Sequence, residues 1–162
     1  MPPAGDWALD RAGAIFLQGT ENVTFDRCSF ERLDGNAVMV SGYNRHATIK
    51  NSDFAFIGGN AIAAWGYTNE TATDPGRPGE KIENFPEAGV DGTDGNHPRY
   101  TTVTGCSARE VGLYEKQSSF FVQAKSAQSV VSGNVSAVGV EPPAFCPGIG
   151  QPRFDSDTTT EG

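Results

Sequence analysis

Cysteine is sparse, leucine is scarce, and no apolar run approaches the length that crosses a bilayer, so no membrane span is expected. The 3 cysteines, at positions 28, 106 and 146, cannot build the dense disulfide framework of a small secreted scaffold. They also match no metal-ligand spacing, so no metal and no cofactor is expected. A sustained helical period is missing as well, and with glycine abundant this favours an all-β, turn-rich chain. Cations are outnumbered, 12 Lys and Arg against 20 Asp and Glu, for a net charge of −8. That balance leaves no basic stripe for a phosphate backbone and excludes a nucleic-acid surface. Met1 to Trp7 has neither a basic region nor an apolar stretch, so no secretory signal is expected there. For 162 residues a single domain is the natural expectation.

What the chain does have is a repeat. Ala14–Asn36 matches Ala37–Asn60 with one extra residue near Asn44, so that Phe25 falls on Ile49, Cys28 on Ser52 and Phe30 on Phe54. Leu33, Gly35 and Asn36 fall likewise on Ile57, Gly59 and Asn60. A third copy starts at Ala61 to Gly66, breaks off, and resumes at Val103, Cys106, Ala108 and Val111. A fourth reads Phe120 to Ala124, then Val130, Gly133, Val135 and Val138. Self-similarity at this period marks stacked units that bury their apolar faces only against their neighbours.

The expected columns are Phe25/Ile49/Val103/Val130, Phe30/Phe54/Ala108/Val135 and Leu33/Ile57/Val111/Val138. Polar residues alternate with their members, as in Val23-Thr24-Phe25-Asp26, which is the pattern of short strands with one buried face. A propeller blade would need about 40 residues and tight hairpins. Asp34-Gly35 is the one hairpin dipeptide near these strands, and it lies at a repeat boundary. The reading is therefore an all-β, right-handed single-stranded parallel β-helix, a solenoid of about four coils with one long loop insertion. Its parts are a lead-in over residues 1–12, coils over 13–140 with an insertion at 67–98, and a disordered tail over 141–162. The Gly35-Asn36 and Gly59-Asn60 pairs suit a turn where asparagines stack in a ladder.

Cys28 and Cys106 share a column with Ser52 between them. Two coils apart is about 9.6 Å, beyond the reach of a disulfide, so free thiols are expected. Cys146 would pair only if the tail folds back. Asn22-Val23-Thr24, Asn69-Glu70-Thr71 and Asn134-Val135-Ser136 are glycosylation sequons, weak support for secretion in a chain rich in Ser and Thr.

Several stretches resemble a known family: Gly5 to Arg45, Ala61 to Thr68, Asp91 to Arg99 and Gly112 to Val135. Gly42-Tyr43-Asn44-Arg45 and Tyr114-Glu115-Lys116-Gln117-Ser118-Ser119 are the more specific motifs. They look like right-handed parallel β-helix proteins of the pectin-lyase-like superfamily, similar within it to glycoside hydrolase family 141. The resemblance implies hydrolysis of fucose- or xylose-containing polysaccharides of plant or algal type, and an extracellular setting. Relatives of that kind have further coils on both sides, so a fragment is expected here, with self-association through exposed coil ends and little activity.

Candidate chemistry gathers in and around the insertion, since long loops on a rigid scaffold commonly carry function. Glycoside hydrolysis needs two carboxyl groups, about 5 Å apart for retention and about 6.5–9.5 Å for inversion. Asp91 and Asp94 are candidates within the insertion, and Glu115 lies at the turn into the fourth coil, opposite them if the insertion folds over. Trp65, Tyr67 and Tyr114 offer flat faces for sugar rings. His97, Arg99, Lys116 and Gln117 complete a substrate-binding set, with His97 suited to acid–base work near neutral pH. The bland alternative is a solvated acidic loop, with Glu115 and Lys116 a surface ion pair. A polysaccharide lyase would use Arg99 or Lys116 as base with a cation for the uronate, but no Asp-x-Asp-x-Asp loop is present. A non-catalytic carbohydrate-binding or structural module would need only the aromatics.

Overall fold

In a computed structural model the protein is described over residues 11–66, 95–115 and 118–137, with short strands at 144–145, 153–154 and 159–161. All regular structure among them is strand. The first rung comprises β1 (Ile15–Glu21), β2 (Thr24–Asp26) and β3 (Ser29–Leu33). The second comprises β4 (Val38–Arg45), β5 (Thr48–Lys50) and β6 (Asp53–Ile57). β7 (Ile62–Trp65), β8 (Pro98–Arg99), β9 (Thr102–Thr104) and β10 (Ser107–Val111) form the third, and β11 (Phe121–Ala124), β12 (Val130–Ser132) and β13 (Val135–Ala137) the fourth.

Each strand pairs with its counterpart one rung along, and every pairing is parallel. The result is three sheets, β1-β4-β7-β11-β14, β2-β5-β9-β12-β15 and β3-β6-β10-β13-β16, an arrangement compatible with a parallel β-helix. The meander of a propeller blade has no counterpart among the described residues. In the first three rungs the expected register holds: Phe25 pairs with Ile49, Ile49 with Val103, Phe30 with Phe54, and Phe54 with Ala108. Leu33 likewise meets Ile57, and Ile57 meets Val111. The rings of Phe30 and Phe54 stack at 4.8 Å with planes 3° apart, and Phe120 meets Phe54 edge-on at 6.1 Å. Ile49, Phe54, Ile57, Ile62 and Val103 are wholly buried between the three sheets.

The fourth rung corrects the expected register. Val131, not Val130, pairs with Val103, and Ser136, not Val135, pairs with Ala108. Val131 and Ser136 are buried, whereas Val135 is 42% exposed. A one-residue slip reverses every side chain of a strand, and the adjacent valines 130 and 131 offer either phase. Val138 lies outside the described residues.

Strand backbone also reaches into residues 141–162, where the sequence shows no strand period. β14 (Ala144–Phe145), β15 (Arg153–Phe154) and β16 (Thr159–Glu161) add parallel pairs to β11, β12 and β13. Strands of two or three residues are too short to carry a readable alternation. What pairs them is the row of backbone groups that the fourth rung presents.

Three turns recur from rung to rung. Asn22, His46, Tyr100 and Gln128 occupy one bend with φ between 55° and 59°. Arg27, Asn51, Gly105 and Gly133 share the second, and Arg32, Phe56 and Glu110 the third. These left-handed residues, unusual outside glycine, turn the chain from one sheet to the next at the first two bends, and the third lies within the strands of the third sheet. The asparagine ladder forms as expected, with Asn36 and Asn60 both buried. Cys28 and Cys106 are free thiols with Ser52 between them, and Cys146 lies outside the described residues.

Candidate functional site

A single break in the first sheet sets the position of the insertion. Gln18 pairs with Ser41 and Thr20 with Asn44, so Gly19 alone faces Gly42 and Tyr43 across a bulge. On the next rung Ser41 pairs with Trp65 and Asn44 with Pro98. The chain therefore leaves this sheet at the end of β7 and rejoins it at β8, at the place of that bulge. Bulges disrupt the ladder and are where a sheet accommodates extra chain.

Two arginines hold the stem. Arg45 donates through Nη1 to the His97 carbonyl at 2.6 Å and through Nη2 to the Gly95 carbonyl at 2.9 Å. Arg11 donates to the Trp65 carbonyl at 3.0 Å, the Gly66 carbonyl at 3.1 Å and Ser41 Oγ at 3.0 Å. One guanidinium thus grips the departing limb and the other the returning limb. The fork of donors that a guanidinium presents suits such paired oxygens. Gly66 is enclosed where the limbs meet, since a Cβ there would lie 2.2 Å from the Lys125 carbonyl oxygen and 2.6 Å from His97 Cβ.

Around this stem lie aromatic and polar groups on the outer face of the first sheet. The Arg11 guanidinium sits over the Trp65 ring at 5.0 Å and that of Arg45 over the Tyr43 ring at 4.2 Å, both cation–π contacts. The Tyr43 hydroxyl donates to the Glu21 carboxylate, and the Tyr43 backbone N–H donates to Asn96 Oδ1 at 3.0 Å. That bond to Glu21, with some desolvation, raises the Tyr43 pKa. Buried Asn44 accepts from Thr20 Oγ1 at 2.6 Å and donates to the Ser41 carbonyl at 2.8 Å, satisfying the bulge. Met39 and Ser41 point away from the core and are nevertheless buried, because the lead-in residues Arg11 and Gly13 cross this face.

Only part of the expected site falls within the described residues. Trp65 and His97 come together at the stem, and His97 is buried. Arg99 lies one turn further on, where Nε and Nη2 donate to Gln128 Oε1 at 3.2 and 2.8 Å and its guanidinium lies 5.3 Å from the centre of the Tyr100 ring. Tyr100 in turn stacks on His46 at 4.8 Å. Glu115 and Tyr114 belong to another corner. The Glu115 carboxylate packs against Gly59 beside the asparagine ladder, and Tyr114 is 67% exposed. Gly59 lies in the turn that precedes β7, whereas Trp65 ends that strand. Asp91, Asp94, Tyr67, Lys116 and Gln117 lie outside the described residues.

Arg11, Tyr43, Arg45 and Asn44 are the members of the stem that the candidate set lacks. The Gly42-Tyr43-Asn44-Arg45 motif was the available signal, since it coincides with the extra residue in the repeat. Arg11 has no such signal, because its partners are mostly backbone carbonyls far along the chain. No group of three or more His, Cys, Asp or Glu side chains able to hold a metal occurs among the described residues. No protein-family model, curated protein or solved structure matches the chain.

Proposed function

We propose that this protein is a right-handed parallel β-helix of the pectin-lyase-like kind, similar to glycoside hydrolase family 141, and that it binds a plant- or algal-type polysaccharide. The supporting observation is the insertion stem, where Trp65, Tyr43 and His97 are gathered with Arg11 and Arg45 on a rigid sheet. Carbohydrate recognition uses this combination of flat rings and fixed hydrogen-bonding groups. The ancestral activity in this reading is hydrolysis of a fucose- or xylose-containing glycan, with Asp91, Asp94 and Glu115 as the carboxyl candidates.

Non-catalytic binding is the form of the proposal that Glu115 favours. Its carboxylate packs against Gly59 in the turn before β7, beside the buried Asn36, rather than at the stem where Trp65 and His97 meet. Affinity electrophoresis in gels containing xylan or fucosylated xyloglucan tests the reading. Retardation of the wild type that is lost in Trp65→Ala is the expected result, and unaltered mobility in every polysaccharide gel overturns it. Release of reducing sugar that disappears in Asp91→Asn or Glu115→Gln would restore the hydrolase form. Unsaturated products from pectate would point instead to the lyase.

A further inference from the structure

The corner between the third and first sheets carries a concave surface, away from the insertion stem. A groove of about 340 Å³ opens there, lined by Arg32, Leu33, Asp34, Phe56, Leu113 and Tyr114. That volume lies at the small end of ligand sites. Two of its members are large apolar rings in water, Tyr114 at 67% and Phe56 at 37% exposure.

Phe56 is the more telling of the two. It sits at φ 57°, in the left-handed bend shared with Arg32 and Glu110. The bend belongs to the architecture, but a bulky ring does not suit it, since left-handed positions favour Gly, Asn or Asp. Neither burial nor backbone preference accounts for phenylalanine there. The bend itself recurs at Arg32 and Glu110, so what is particular to this rung is the exposed ring.

The backbone that carries Tyr114 is tied to the rung below it. The backbone N–H groups of Tyr114 and Glu115 both donate to the Gly58 carbonyl, at 3.1 and 2.9 Å. Those of Gly112 and Leu113 donate to the Ile57 carbonyl, at 2.9 and 3.1 Å. Gly58 lets the ring close on the rung, since a Cβ there would lie 2.7 Å from Tyr114 Cδ2. The Arg109 guanidinium sits over Phe56 at 5.4 Å, which makes Tyr114 the more open face. A site fixed in this way loses little entropy on binding.

We propose that this groove is a subsite for one neutral pyranose ring of a glycan, stacked on Tyr114 beside Phe56. Arg32 donates to the sugar hydroxyls and Asp34 accepts from them. Among the described residues these two form no ion pair, so their hydrogen-bonding capacity is open to a ligand. One cation balanced by one anion gives no selection for an acidic sugar, and the net charge of −8 repels a polyuronate. The inference rests on the carbohydrate reading above and adds to it a sugar class and a second point of attachment.

The test is an NMR titration of the whole chain with xylotetraose and with a fucosylated xyloglucan oligosaccharide, using tetragalacturonate as the acidic counterpart. Saturable shifts at the Leu113 and Tyr114 amides with a neutral oligosaccharide are expected. Tyr114→Ala should weaken them at least tenfold while leaving the response of the Trp65 indole unchanged. Phe56→Asn, which keeps the left-handed backbone, should weaken them severalfold. A response at Trp65 with none at the groove overturns this inference and leaves the carbohydrate reading standing. Silence at both places with the neutral oligosaccharides overturns both. Undiminished groove shifts in folded Tyr114→Ala, or tighter binding of tetragalacturonate, overturn the assignment of the subsite.

Discussion

The side-chain amide of Asn60 donates to Oδ1 of Asn36 at 2.9 Å, and the backbone N–H of Asn60 reaches the same oxygen at 2.8 Å. The pattern continues in both directions. Asn36 Nδ2 donates to the Ala12 carbonyl at 2.8 Å, and Asn60 Oδ1 accepts from the Ser119 N–H at 2.8 Å. Side-chain amides thus supply, at a buried turn, the pairing that the sheets supply along the strands. Because the groups are buried, each one left unpaired costs free energy that water cannot return.

Removing one member should therefore cost more than an ordinary surface change. Asn60→Ala strips the Ser119 N–H of its acceptor and is expected to lower stability by about 1–3 kcal/mol. Asn51→Ala, at an exposed turn, should cost less. Urea midpoints at constant slope measure both. Equal midpoints for wild type and Asn60→Ala would show that the ladder contributes nothing.

The fourth-rung register can be read from a pair of adjacent valines. Val131 is wholly buried and stacked on Val103, so Val131→Ala should cost about 1–3 kcal/mol. Val130 is only partly buried, and Val130→Ala should remain within about 1 kcal/mol. Phe54→Ala, which empties the stacked Phe30–Phe54 column, should cost about 3–5 kcal/mol. A larger loss at Val130 than at Val131 would return the rung to the opposite phase.

These columns also mark how far the sequence is legible. Where one residue class recurs at a fixed offset, as with Phe30 and Phe54 or Asn36 and Asn60, the register can be read directly. At the fourth rung the consecutive valines allowed either phase. The better guide was Ser132-Gly133-Asn134 set against Thr104-Gly105-Cys106, because Asn134 Oδ1 accepts from the Cys106 N–H at 2.9 Å. The insertion could be located by the break in the repeat, but its stem could not be assembled. Arg11 and Arg45 act on backbone carbonyls, and no pattern of side chains announces such contacts. Glu115 faces Asp91 and Asp94 only if the insertion folds over its turn; that turn is tied to Gly58 and Gly59, and the two aspartates lie outside the described residues.

The Arg45 grip yields a prediction of its own. Arg45→Lys keeps the charge but loses the planar fork that reaches two carbonyls at once. Hydrogen exchange should then accelerate at the amides of His46 and Ala127, which donate to the Arg99 and Pro98 carbonyls at 3.2 and 3.0 Å. Exchange at Val103, deep in the core, should not change. Unchanged protection at His46 and Ala127 in both Arg45→Lys and Arg45→Ala would mean that the returning limb is held by other contacts.

Asp26 provides a pH-dependent reporter on the second sheet. Asn51 Nδ2 donates to its carboxylate at 3.0 Å, and Lys50 and Arg27 lie 3.7 and 3.6 Å away. Its pKa is lowered, chiefly by the Asn51 hydrogen bond; desolvation opposes this, and Arg27 and Lys50 each add a smaller lowering. A carboxyl depressed on folding adds stability above its unfolded pKa, and that contribution is lost as pH falls through the folded value. Carbon-detected NMR should show Asp26 titrating below an ordinary aspartate, and Asn51→Ala should move its midpoint upward. A midpoint unmoved by Asn51→Ala would remove the hydrogen bond as the main cause.

The two described thiols should differ in reactivity although they share one column. Cys106 is buried, and burial pushes its thiol pKa up, against backbone hydrogen bonds at Ser52 and Thr104 that lower it. Its Sγ lies 3.5 Å from the Thr104 carbonyl and 3.7 Å from the Ile49 carbonyl, positions that leave no path for a reagent. Cys28 stands at the end of the column and is only partly buried. The thiolate is the reacting species, so burial and a raised pKa both protect Cys106. Raising the pH does not erase the difference, because the folded Cys106 thiol ionises above its unfolded value. Stability should fall instead, as the unfolded thiolate becomes the favoured form. Brief iodoacetamide treatment of the native protein, followed by peptide mapping, should label Cys28 and spare Cys106, with both labelled after denaturation. Cys106 labelled as fast as Cys28 in the native state would mean that the third rung opens readily to solvent. A Cys28–Cys106 disulfide would mean that Ser52 does not separate them.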